Sequence, residues 1–67
     1  MTNTNKLKYK ILESGYSMKV LAQKLGISRV ALSQKIHNKI KFSQEDIKKL
    51  DQELNFTSDE IREIFLE

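Results

Sequence analysis

The sequence predicts an all-α fold, a compact domain of five short helices. Three observations carry that prediction. The chain has 67 residues with no proline and only two glycines, too few turn formers for a strand-rich fold. It is rich in Lys, Leu, Ile, Glu and Gln, which favour helices joined by short turns. Apolar residues recur three and four apart, and the last four such segments each open on Ser or Thr, residues that cap helices. The length allows one domain, residues 1–67, with a small core.

The first helix is expected from about Thr4 to Ser14, with Leu7, Ile11 and Ser14 on one stripe, Leu12 beside it, and Gly15 as a left-handed stop. Ser17 caps the second, which runs to about Leu25 and places Met18, Leu21 and Leu25 on one face. Gly26 ends it, Ile27 sits in the turn, and Ser28 caps a third helix to about His37, with Leu32 and Ile36 inward and Asn38 as its stop. Ser43 with Asp46 opens the fourth helix, striped by Ile47, Leu50 and Leu54 and ended by Asn55. Thr57 with Glu60 forms a capping box for the fifth, with Phe56 stapled against Ile61 and an apolar set of Ile61, Ile64 and Phe65. Tyr9 and Tyr16 are expected to pack at the corner between the first two helices, and Phe42 and Phe56 in the core.

Composition narrows the function classes. There is no cysteine, and His37 is the single histidine, so no thiolate or His-rich metal site is expected and no cofactor is called for. No stretch approaches the roughly 18 apolar residues that span a membrane. The start, Met1-Thr2-Asn3-Thr4-Asn5, lacks the order of a signal peptide, so the expected location is cytoplasmic. No pattern sets a nucleophile beside a base, and so thin a domain leaves little room for a closed pocket; an enzyme is not expected. Net charge is +3, unevenly spread: residues 1–41 carry nine Lys or Arg against Glu13, a net of +8, while residues 42–67 carry Lys48, Lys49 and Arg62 against eight acids, a net of −5. The first part attracts a polyanion and the last does not.

The informative stretch is Ser17–Asn38, SMKVLAQKLGISRVALSQKIHN. Two helices joined by a tight turn must cross steeply and closely. Ala22 is small where they approach, Gly26 permits positive φ, and Ile27 plugs the corner. Leu21, Leu25, Leu32 and Ile36 tie the pair to the core. The outer face of the third helix then carries Ser28, Arg29, Val30, Ser33, Gln34 and His37. Arg bonds guanine and Gln bonds adenine at two points each, and Val30 suits a thymine methyl. The helix N-termini offer N–H groups to phosphates, flanked by Lys19, Lys35, Lys39 and Lys41.

The run LAQKLGIS followed by ALSQKI resembles the Cro and CI type, XRE-like helix-turn-helix family of phage and bacterial repressors, and the five-helix, lambda-repressor-like layout resembles it along nearly the whole chain. The resemblance implies that the helix at about 28–37 enters the major groove of double-stranded DNA, with Ser28, Arg29, Val30, Ser33 and Gln34 facing bases and Gln23, Asn38 and Lys39 touching the backbone. Two positions depart from the pattern. Met18 stands where many relatives have a polar residue that holds a phosphate, and Asn38 replaces the common glycine after the recognition helix. The short length and low-GC style of composition are similar to the small Cro-like or modulator-of-repression regulators of temperate phages of Gram-positive bacteria. A phage-type switch regulator, binding as a homodimer to two half-sites, is the expectation. The alternative from a different class is a modulator that complexes a larger CI-type repressor, through the recognition helix or through an Ile61, Ile64, Phe65 and Leu66 surface.

Overall fold

The computed structural model describes residues 1–66. It has helices α1 (Thr4–Ser14), α2 (Met18–Leu25), α3 (Arg29–Ile36), α4 (Gln44–Leu54) and α5 (Ser58–Ile61), and no strand among the described residues. Each helix start is set by a side chain that accepts from a backbone N–H of the first turn. Asn3, Ser17, Ser28, Ser43 and Thr57 do this for α1 to α5 in order. Ser43 with Asp46, and Thr57 with Glu60, form complete capping boxes. The ends follow the same local logic: Gly15, Gly26, Asn38 and Asn55 all take positive φ.

The core is apolar throughout: Leu7 and Ile11 of α1, Leu21, Ala22 and Leu25 of α2, Leu32 and Ile36 of α3, Leu50 and Leu54 of α4, and Ile64 and Phe65 at the C-terminal end. Tyr16, Met18, Ile27, Phe42, Ile47, Phe56 and Ile61 pack around it, partly buried. Tyr16 also donates its hydroxyl to Glu53 of α4 (2.9 Å), which pins the α1–α2 corner. That hydrogen bond, with some desolvation, raises the phenol pKa above its ordinary value.

Two expectations are corrected. Tyr9 does not pack at the corner; it lies on the outer side of α1, 64% exposed, as does Leu12. The fifth helix is not α-helical to its end: after Ile61 the backbone widens into a π-helical turn, Arg62–Leu66. Ile64 and Phe65, neighbours in sequence, then both enter the core, at 2% and 9% exposure. Phe65 meets the rings of Phe42 and Phe56 edge-on, each at 5.6 Å between centroids. Such pairs add about 0.5–1.5 kcal/mol each beyond area burial. An α-helical stripe read from sequence alone does not anticipate a ring held between two loop phenylalanines.

The N-terminal residues are tied to the C-terminal turn and to the end of α3. The Asn3 N–H donates to the Ile64 carbonyl (2.7 Å), and the Thr4 hydroxyl to the carbonyl of Ile36 (2.7 Å). The Asn38 side-chain amide grips Thr2 at two points, accepting from its N–H at 2.8 Å and donating to its carbonyl at 2.9 Å.

Candidate nucleic-acid interface

α2 and α3 lie close to each other, and Ala22 of α2 is buried, where a larger side chain would overpack the core. Gly26 turns the chain between them at φ 73°, its N–H donating to the Gln23 carbonyl, and the Ile27 N–H donates to Ala22. A left-handed turn of this kind strains a β-branched residue. Ile27 sits in the corner, packed on the core. With Leu32 and Ile36 buried, the opposite side of α3 is left facing solvent.

On that side Val30, 68% exposed, and Gln34 are four apart and share one face. Arg29 and Ser33 lie to one side of them, Ala31 and Lys35 to the other. Arg29 is exposed, with no acid partner among the described residues. The Ser28 hydroxyl accepts from the Ala31 N–H (3.0 Å) and keeps its own proton to donate. So the five residues read as base-facing share one continuous surface, Ser33 and Gln34 half-buried in it. Ala31 belongs to the same surface and is missing from the sequence-based set. Its small methyl carries no pattern signal, but an alanine there suits a thymine methyl.

The backbone-contact residues divide. Lys19, Gln23, Lys39 and Lys41 are exposed. Lys35 is not free to flank: its ammonium bonds to Asp46 of α4, and each side chain is 15% exposed. Burial pushes the Asp46 carboxyl upward, but Lys35 and the Ser43 N–H outweigh it and hold the carboxyl below its ordinary range. Asn38 is at the surface with its amide committed to Thr2. Met18, where a phosphate-holding polar residue is common, packs instead against the core.

Charge is sorted by these pairings. Lys6 and Lys10 of α1 bind Glu63 and Glu60 of the C-terminal end, the latter at 3.0 Å. Glu60 also accepts from the Thr57 N–H, and that bond, with Lys10, lowers its pKa. Glu45 pairs with Lys49 and Asp59 with Arg62. Asp51 accepts from the Phe56 N–H and Glu53 from Tyr16. All seven acids of residues 42–66 are thus engaged within the chain. Lys8, Lys19, Lys24, Arg29, Lys39, Lys41 and Lys48 have no acid partner among the described residues.

The surface read as a partner site changes most. Ile64 and Phe65 are core residues and Ile61 is partly buried; Leu66 alone of the four is open, at 71%. No helix among the described residues is long and apolar enough to cross a membrane.

No curated protein and no solved structure matches the chain at a significant level. A family model described as helix-turn-helix matches residues 7–61, from the first buried leucine of α1 to the end of α5. That span takes in both crossing helices, the Gly26 turn and the exposed outer face of α3, and the chain belongs to the helix-turn-helix family of DNA-binding regulators.

Proposed function

We propose that the chain reads a specific DNA sequence by laying α3 in the major groove, and that it serves a phage-type genetic switch. One observation supports the DNA reading most: five of the seven described acids of residues 42–66 pair with cations inside the chain and the other two accept hydrogen bonds, while seven cations, Arg29 among them, have no acid partner among the described residues and can meet an external polyanion. Arg29 and Gln34 supply base recognition, Val30 an apolar contact, and Lys19, Lys39 and Lys41 hold phosphates. A single small domain reads few base pairs, so two copies on half-sites about 34 Å apart would supply the affinity.

The alternative, a modulator that complexes a larger repressor, has less behind it. It draws on Met18 in place of a phosphate-holding residue, on an acidic third that suits a basic partner and on an apolar C-terminal surface; the described acids of that third are engaged within the chain, and two of those four apolar residues are in the core. What remains is Met18 packed against the core, the outer face of α3 as a contact, and the exposed Leu66, with Tyr9 and Leu12 on α1.

The test is selection from a random duplex pool, followed by anisotropy titration of the selected site against a scrambled one at several salt concentrations. A clear preference is expected. Folded protein that binds every duplex equally at low salt would overturn the proposal.

A further inference from the structure

We infer that Lys35 is a positioning residue for the DNA-reading helix and not a phosphate contact, with Asp46 as the group that holds it. The inference rests on the DNA reading proposed above. α3 lies close along its backbone to α1 and α2 but not to α4. Both helices send apolar side chains into the common core, and the Lys35–Asp46 ion pair is the polar contact between them, joining the last turn of α3 to the first turn of α4. Its two ends are unusually well fixed. Asp46 is already the third residue of the α4 capping box, holding the Ser43 N–H at 3.0 Å, so the same carboxylate anchors the start of α4 and the lysine of α3. Lys35, at 15% exposure, is less open than any of Lys19, Lys39 and Lys41, which stand exposed.

The consequence is a division of labour on α3. Val30 and Gln34 point outward, Leu32 and Ile36 anchor inward, and Lys35 sets how far the helix can roll about its axis toward or away from α4. A helix free to roll still meets phosphates through flexible lysines, but it no longer holds Arg29 and Gln34 in register with base edges. Loss of the pair therefore reduces discrimination between sites and leaves the count of phosphate contacts alone. That separation distinguishes a positioning residue from a charge that touches DNA.

The experiment compares the wild type with Lys35→Met, Asp46→Asn and, as a phosphate-contact control, Lys39→Met, each confirmed helical by circular dichroism. Two quantities are read: the slope of log affinity against log salt on a scrambled duplex, and the affinity ratio of selected to scrambled duplex. For Lys39→Met the slope should fall by about one, with the ratio unchanged. For Lys35→Met the slope should match the wild type while the ratio falls by about tenfold, the size of one weakened base contact. Asp46→Asn keeps an acceptor for the Ser43 N–H and so should fold; it should lower the ratio in the same way, and it decides the matter alone if Lys35→Met is unfolded. A Lys35→Met slope that falls by one with the ratio intact would overturn the inference, as would an Asp46→Asn ratio equal to the wild type. Wild-type protein with no preferred duplex would instead remove the DNA reading on which the inference stands.

Discussion

The α2–α3 unit and the C-terminal segment from α4 onward are held by different forces. Between Ser17 and Ile36 no ion pair joins one residue to another; the two helices are fixed by Leu21, Ala22, Leu25, Leu32 and Ile36, and their charged side chains face away from the core or, for Lys35, reach out to α4. From Ser43 on, acids do much of the fixing, through two capping boxes and through ion pairs that reach back to α1 and α3. The difference shows why net charge by segment is a poor guide to surface charge. The acidic third does not repel a polyanion as a block, because its carboxylates pair with Lys6 and Lys10 of α1, with Lys35 at one end of α3 and with Lys49 and Arg62, and leave seven cations with no acid partner among the described residues.

The sharpest break of that contrast is Leu32→Asp. Leu32 is fully buried, with apolar neighbours and no partner for a carboxylate. Truncation of such a leucine alone costs about 2–5 kcal/mol, and burying a charge costs more. In a domain this small no cooperative thermal transition should remain, and a wild-type melting curve would show that α3 is anchored by something other than its inward stripe. Phe65→Ala comes next, at about 3 kcal/mol, because it removes a core ring together with two edge-on contacts. Chemical denaturation should show the loss directly, and a cost under 1 kcal/mol would return Phe65 to the surface.

Thr57→Ala tests the polar side of the contrast. It deletes one capping box and should cost about 1 kcal/mol, or roughly 4–8 °C in Tm. Acid titration should bear on the C-terminal segment selectively. Asp46 and Glu60 both have folded pKa values lowered below their ordinary ones. The unfolded chain therefore takes up protons first as pH falls, so their stabilisation is complete above the ordinary carboxylate range and is lost as pH drops through the lowered folded values. Hydrogen exchange should then show α4 and α5 loosening before α2. Simultaneous loosening would mean that the capping boxes and ion pairs carry little.

What was legible in the sequence was what is encoded within three or four residues. Ser17, Ser28, Ser43 and Thr57 cap as expected, and Gly26, Asn38 and Asn55 stop helices as expected, because a cap needs only a local acceptor or a tolerant φ. The inward stripes of α1 to α4 follow from helical period. Asn3 does not stand out as a cap, since it lies in a Thr-Asn run where every residue has capping chemistry. Pairings across the fold were not legible at all. Nothing near Lys35 says that its ammonium goes to Asp46, eleven positions on, and nothing near Phe65 says that Phe42 and Phe56 flank it. Of the candidate interface, the outer face of α3 could be read from period alone, whereas the engagement of Lys35 and Asn38 depends on partners that only the folded chain brings near.

The two-point grip of Asn38 on Thr2 makes the Thr2 amide a gauge of α3. The Thr2 amide is held by a residue 36 positions away, at the stop of α3, with the Thr4 hydroxyl on the Ile36 carbonyl beside it. Opening of that helix end releases the Thr2 amide to solvent, so its exchange rate reports fraying of α3 from a spot away from the helix's outer face. A nuclear magnetic resonance label there would follow the stiffening of the helix as a ligand binds, without touching the side chains under study.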